Sequence, residues 1–209
     1  NDCDLWENVA ARGGAIWSAS STLDIDHTQL WDNEADGAFM AGGGAILALD
    51  STLDLNEVTL NDNLCEPMNE GDAIRNTNVT MTMTNCSVDG EGPFSAEIYD
   101  EASTPTMTGC TIINGGGLIS AVYSREGTLD VSNTLFQSNG GAVEVTQDAQ
   151  ATFDDCTFLD NGTILTGAAI RVHGNATAAV DMCSFSGNAA ANEGGAIEVG
   201  FGGVLSVTG

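Results

Sequence analysis

The chain has 209 residues, 42% of them apolar, and carries 30 Asp and Glu against four Arg and no Lys, for a formal charge of −26. The apolar content suffices for a packed core and excludes a disordered chain, while the charge repels phosphate backbones and anionic headgroups and so excludes nucleic acid as a partner. No apolar run is long enough to insert into a membrane within this segment, and the opening NDCDLWEN lacks the basic and apolar regions of a signal peptide.

Residues 3–8, CDLWEN, supply a first apolar anchor at Leu5, and residues 12–25, RGGAIWSASSTLDI, supply two more at Ile16 and Ile25. Residues 42–55, GGGAILALDSTLDL, then repeat that second stretch with eight of fourteen positions identical. The Gly-Gly-Ala-Ile motif ends at Ile16 and Ile46 and continues in degenerate form as GDAI at Ile74, SAEI at Ile98 and ISAV at Val122. It returns as GGAV at Val143, GAAI at Ile170 and GGAI at Ile197, and the successive intervals are 30, 28, 24, 24, 21, 27 and 27 residues.

Nine or ten residues after each motif comes a second anchor, the series Ile25, Leu55, Met83, Met107, Val131, Phe153, Val180 and Val207. Its flanks (TLDI, TLDL, TMTM, TLDV, VLSV) alternate with period two, which marks a strand and not a helix. A third anchor follows in CDLWEN, TQLWDN, VTLNDN, CSVDG, CTIIN, TLFQSN, CTFLDN and CSFSGN: a small residue, any residue, a large apolar residue, then usually Asn. No helix-length amphipathic stretch occurs, and the glycine placement argues against one. Three short strands in each unit of 21–30 residues, repeated about eight times, predict an all-β fold, a single-stranded parallel β-helix. With coils stacked about 4.8 Å apart, the rod is roughly 35–40 Å long.

Phe-x-x-Asn combined with Gly-Gly-Ala-Ile/Val/Leu resembles the repeats of the chlamydial polymorphic outer membrane proteins and of a wider set of bacterial β-helix surface proteins. The tightest match is FQSNGGAV, where Phe136 and Asn139 run into Gly140 and Gly141, and FLDN (158–161) with GAAI and FSGN (185–188) with GGAI match as well. The first coils depart by using Leu for Phe, and the coils near residues 74–122 lose the double glycine. The resemblance implies a right-handed helix and an extracellular, often adhesive, passenger at the cell surface. The chain shows no C-terminal membrane barrel of an autotransporter.

Stacking turns each repeated position into a column. The second and third anchor series form inward aliphatic and aromatic ladders. Asn8, Asn33, Asn63, Asn114, Asn139, Asn161 and Asn188 form a structural ladder at a sharp bend, because asparagine tolerates left-handed backbone angles and its amide can bond the next copy. Cys3, Cys86, Cys110, Cys156 and Cys183 share a small inward site with Thr28, Val58 and Thr134. In-register Cβ atoms about 4.8 Å apart are wider than a disulfide prefers, so buried free thiols are expected, with Cys86/Cys110 and Cys156/Cys183 as the pairs to consider. Cys65 lies outside the column with no evident partner, and no spacing suggests zinc or redox chemistry.

Acids dominate the outward positions. Asp24 and Asp54 stack in adjacent coils with Asp26 beside them, so solvent, salt or calcium must offset their repulsion. No EF-hand or GGxGxDxUx loop is present, and no other cofactor is implied. Glu144, Arg171 and Glu198 alternate in sign along one outward column. Further up it stand Trp17, Leu47, Arg75, Tyr99 and Tyr123, an exposed aromatic-aliphatic stripe that could hold a sugar ring or a partner protein. The Asn-x-Ser/Thr sites at Asn78, Asn85, Asn161 and Asn175 are no more frequent than composition predicts.

An enzyme reading rests on DDC (Asp154, Asp155, Cys156) and VHG (172–174), which faintly resemble polygalacturonase-type motifs. The companion motifs are missing, DDC is one local version of the column entrance, and neither His27 nor His173 has a triad context. The expected function is therefore non-enzymatic: an extracellular adhesive or structural stalk with a glycan or cell-surface partner. The alternative is a fibre subunit whose coils stack end to end with other copies, a polysaccharide-degrading enzyme being the third reading. Residues 1–209 are expected to be one continuous β-helix, a piece of a longer protein or an uncapped stacking unit.

Overall fold

A computed structural model describes residues 3–37, 42–66, 71–90, 96–116 and 119–209. Ser95 of the SAEI motif and residues 67–70 of the Cys65 loop lie outside the described residues. Among those residues every strand pairs in parallel, most of them in three sheets of eight strands and the rest in two small ladders. Sheet one runs from Ile16–Ala19 to Ile197–Val199, sheet two from Thr22–Asp26 to Val204–Thr208, and sheet three from Cys3–Trp6 to Ser184–Ser186. Each turn of chain visits the three sheets in that cyclic order, so the molecule is a parallel solenoid.

The register follows the sequence repeat at every anchor. Ile16 stacks on Ile46, Ile25 on Leu55 and Leu5 on Leu30, and the pairing continues to Ile170 on Ile197, Val180 on Val207 and Phe158 on Phe185. A one-residue slip would turn each apolar set outward, so burial of one face fixes the register. Among the described residues one large apolar cluster runs along the axis, with Ala35 and Cys65 forming a small separate one. In sheet three Phe136, Phe158 and Phe185 stack at centroid separations of 4.9 Å, and Phe153 of sheet two meets Phe158 edge-on at 5.9 Å.

The corners follow one rule. A left-handed residue turns the chain, and the residue after it is small: polar in many coils, and Val58, Val79, Ala149 or Ala176 in others. Between sheets one and two the pairs include Ser20–Ser21, Asp50–Ser51 and Ala102–Ser103, with φ of 50°, 49° and 50° at the first member. Between sheets two and three they include His27–Thr28, Asn85–Cys86, Asn133–Thr134 and Met182–Cys183, and after sheet three Asp32–Asn33, Ser138–Asn139 and Asp160–Asn161. The left-handed angle therefore belongs to the residue before each ladder asparagine, not to the asparagine itself.

In most coils the corner donor adds a second bond to a carbonyl that already accepts a backbone N–H from the preceding coil, as Leu49 does from Ser20 and Thr84 from Glu57. Ser51 Oγ donates to the Leu49 carbonyl at 2.7 Å, and Thr28 and Thr134 donate to carbonyls two residues back at 2.9 Å. Cysteine fills the same role: Cys86 and Cys156 donate at 3.4 Å and Cys183 at 3.2 Å, again to the carbonyl two residues earlier. Exchange of Thr with Cys in this column thus reflects a shared donor as well as a small size. All six cysteines are free thiols, and burial pushes Cys65 and Cys156 up to about 12. Cys65 stacks on Ala35, and its N–H donates to Asp72.

The asparagine ladder carries more bonds per residue. Asn161 Oδ1 accepts from the Asn139 backbone N–H at 3.1 Å and from its Nδ2 at 2.9 Å, while Asn161 Nδ2 donates to the Phe136 carbonyl at 3.1 Å. Asn33, Asn63 and Asn188 repeat the pattern, and Asn8 donates to Asn33. Asn114 is not part of it. Ile112 pairs with Phe136, which puts Asn114 level with Ser138 as the left-handed residue (φ 56°) and leaves Gly115 in the ladder position. The exposed Asn114 amide donates to Asp89, and the Gly115 N–H takes the Asn139 oxygen. The motif CTIIN has its asparagine two residues after the core residue instead of three, and that one-residue difference decides its role.

Beyond the corner, coils with matching exits continue in short ladders that the three-strand repeat does not predict: Val9–Ala10, Glu34–Ala35 and Leu64–Cys65 pair together, as do Gly162–Thr163 and Ala189–Ala190. Met182 is a corner residue with φ 48° that is 62% exposed. Its left-handed angle costs about 1 kcal/mol that glycine would not incur. Met182→Gly should therefore raise the thermal midpoint by a few degrees in a circular-dichroism melt.

Candidate functional site

The outward face of sheet one differs from the rest of this acidic rod. Three of the four arginines, Arg75, Arg125 and Arg171, stand on it, and Arg12 lies at its margin. Along one column come Trp17, Leu47, Arg75, Tyr99, Tyr123, Glu144, Arg171 and Glu198, each in register with the next. Two residues further along the strands, Glu101 and Arg125 pair at 2.8 Å, and Arg75 reaches Glu101 at 3.9 Å. Arg171 joins Glu198 at 2.9 Å and Glu144 at 3.7 Å, and His173 Nε2 meets Glu144 at 2.8 Å. Stacking brings opposite charges together here, the reverse of the Asp24/Asp54 column. The face is consequently close to neutral on a molecule of charge −26.

The aromatic stripe is placed as the repeat predicts, but it is not a continuous exposed platform. Leu47 is only 2% exposed, whereas Trp17 is 56% exposed. Tyr99 and Tyr123 stack on each other at 5.0 Å and 16°, and Arg75 lies over the Tyr99 ring at 5.7 Å. Column stacking turns ring faces along the rod axis, so these tyrosines offer edges to solvent where a sugar ring needs a face. Trp6 and Trp31 on sheet three are stacked in the same way, at 5.0 Å and 5°. Arg12, Leu47, Leu49, Arg75, Thr77 and Glu101 line a shallow groove of about 150 Å³ beside this column.

Behind the face, the inward column of the same strands contains Asn76, Asp100 and Ser124. Asp100 is 1% exposed; its Oδ1 accepts from Asn76 Nδ2 at 2.7 Å, and its Oδ2 has no partner. Burial raises its carboxyl from the usual carboxylate range to about 7, against the opposing Asn76 bond. Glu97, where other coils place alanine, is also buried, and burial followed by the charge of Asp72 pushes it well up. Neither acid was singled out in the sequence, although Asp100 falls two residues after Ile98, an inward position by the period of two.

A carboxyl whose folded value is raised stabilises most below its unfolded value and loses that contribution as pH rises through the folded one. Between about pH 4 and 7 the cost of ionising Asp100 grows to roughly 4 kcal/mol. Asp100→Asn should therefore raise stability at pH 8 and flatten the pH dependence of the urea midpoint between pH 5 and 8. A midpoint that changes with pH equally in both proteins would contradict this assignment.

The other expected sites fall elsewhere. Asp24 and Asp54 are exposed neighbours on sheet two, and Asp26 is held below its ordinary value by hydrogen bonds from Asn56 and His27. His27 also bridges to Glu57 at 3.0 Å, so protein groups offset the charge of Asp26. Among the described residues no three His, Cys, Asp or Glu side chains converge in a metal-holding group. Asp154 and Asp155 stand between sheets two and three, while His173 stands at the end of sheet one, so DDC and VHG are at different corners. No helix among the described residues is long and apolar enough to cross a membrane.

Three parallel sheets, in-register columns and corner donors define a β-solenoid repeat protein with a shallow mixed-charge face. The chain belongs to the right-handed β-helix region family, whose model matches residues 13–188. Searches of curated proteins and of solved structures return no match to the chain.

Proposed function

We propose that this chain is a non-catalytic, extracellular surface β-helix that binds a cell-surface protein or glycan through the outward face of sheet one. The observation that carries the reading is the collection of the chain's arginines on or beside that one face, among Trp17, Leu49 and two tyrosines. Long-range repulsion discourages negatively charged partners from the acidic faces, while the compensated face permits close approach. Exposed Trp and Arg are the residue types that dominate interface energies, which makes Trp17 and Arg12 the anchors. The shallow groove fits contact with a broad partner better than enclosure of a small substrate.

The test is binding of the intact protein to immobilised cell-surface glycans and matrix proteins. Trp17→Ala and Arg12→Glu should each weaken capture by about tenfold or more while leaving the melting curve unchanged. Capture at background level, or variants that bind as the native chain does, would contradict the reading.

A further inference from the structure

The asparagine ladder has a gap in the middle of the rod. Leu60 and Phe136 are followed three residues later by Asn63 and Asn139, but Val88 and Ile112 are followed by Glu91 and Gly115. Glu97 enters the space this leaves. The residue before the first anchor is alanine in every other coil, from Ala15 to Ala196, and here alone it is an acid. A Cβ at Gly115 would meet Glu97 Cγ, and one at Gly90 would meet its carboxyl. Glycine and glutamate thus replace the asparagine and alanine that close this corner elsewhere.

The exchange puts an acid where the ladder uses an amide. An amide donates and accepts at every pH, whereas a carboxylate only accepts and carries a charge. Glu97 is 1% exposed, and its Oε1 has no hydrogen-bond partner among the described residues. The Gly116 N–H donates to the carboxyl, and the charges that act on it are those of Asp72 first, then Asp89 and Asp62. Asp72 is itself buried and accepts the Cys65 N–H at 3.0 Å. Arg75 and Arg125, on the strands to either side, stand on the outward face and reach Glu101. Asp100, inward on the same strand as Ile98, bonds Asn76. An ionised Glu97 is therefore a buried charge among acids with one N–H to hold it, and the neutral form is favoured.

We infer that Glu97 is a proton-operated latch between sheets three and one. Protonated, it closes the gap in the ladder; ionised, it opens the adjoining coils while the rest of the rod stays folded. A carboxyl held neutral by burial stabilises the closed corner fully below its unfolded value, and that contribution is lost as pH rises through the folded one. The latch is thus shut in acid and released as pH rises. The flanking corners at Asn63 and Asn139 are held by amides, which do not titrate, and each coil of a solenoid rests only on its neighbours, so the opening stays local. Among the described residues no three acidic, His or Cys side chains converge to hold a metal ion, so the proton is the occupant that fits.

The experiment is native-state hydrogen exchange of the intact protein at pH 5 and pH 8, each rate corrected for the intrinsic pH dependence of exchange. The N–H groups of Ala73 and Ile74, which bond the Glu97 carbonyl, and of Ile98 report on the gap; those of Ala169 and Ile170 report on a distant coil. From pH 5 to 8 the protection of the first set should fall by about tenfold or more relative to the second. Glu97→Gln, which keeps the shape without titrating, should remove that fall, and Glu97→Ala, the residue of the other coils, is the second non-titrating variant. Asp100→Asn should leave the fall in place, which separates the latch from the titration of Asp100. Protection that changes with pH equally in both sets overturns the proposal, as does a fall that survives in Glu97→Gln or Glu97→Ala. A fall in the native chain that calcium chloride abolishes at pH 8 also overturns it, because the carboxyl then serves a cation.

Discussion

Asn161→Ala should destabilise the rod by several kcal/mol, more than its single polar side chain suggests. The amide serves three buried groups at once: the Asn139 N–H, the Asn139 Nδ2 and the Phe136 carbonyl. Alanine removes all three bonds; the Asn139 Nδ2 keeps its bond to the Ile112 carbonyl, but the Asn139 N–H loses its acceptor, and an unsatisfied buried group costs about 1–3 kcal/mol. Asn161→Asp separates the contributions, because its carboxylate still accepts from Asn139 but cannot donate to Phe136 and must be ionised in a buried place. Both variants should show a urea midpoint well below native, with the aspartate variant recovering as pH falls and its acid gains a proton. A loss below about 1 kcal/mol for alanine would mean that water replaces the amide and that the ladder is not structural.

Phe158→Ala is the second large effect. The ring is fully buried, sandwiched between Phe136 and Phe185 with Phe153 against its edge. Truncating such a residue costs about 3–5 kcal/mol, part from lost transfer energy and part from the cavity. Phe158→Leu, the residue that Leu30 and Leu60 supply in the same column, should restore more than half of the loss. Unfolding should be followed by both backbone and aromatic signals, since in a solenoid a local defect can melt neighbouring coils before distant ones. Equal stability of the alanine and native proteins would contradict the packing described for this column.

The fold was legible because burial and stacking act on the same residues. Ile16 to Ile197, Ile25 to Val207 and Leu5 to Phe185 recur at the intervals a coil requires, and period two assigns every intervening side chain to a face. The corners were only half legible. Column composition pointed to small polar residues, but the left-handed angle sits on variable residues such as Ala102, Glu126 and Met182, whose identities carry no signal for it. Asn114 was misplaced because composition at a bend is shared by the turning residue and the donor, and only the strand pairing separates them. Exposure was the least legible property. Leu47 alternates outward yet is covered, and the tyrosines present edges because the stacking that aligns them also uses up their faces.

The mixed charge on sheet one follows from the way stacking works. A solenoid multiplies whatever residue it places outward, so a favourable neighbour reinforces a column and an unfavourable one must be relieved. Glu144, Arg171 and Glu198 relieve theirs by alternating in sign, and Asp26 by a hydrogen bond from Asn56. Buried Asp100 has only the Asn76 amide, which is why pH reaches the stability of the core.

The corner rule is tested most directly by native-state hydrogen exchange at the backbone N–H groups of Asn139 and Asn161. Their acceptors are the side-chain oxygens of Asn161 and Asn188 in the next coil. If inward donors lock the corners that carry them, these two amides should be protected as strongly as those of the adjoining core strands and should exchange only when the coils open together. Exchange at the rate of an exposed loop, with the strands still protected, would contradict the account.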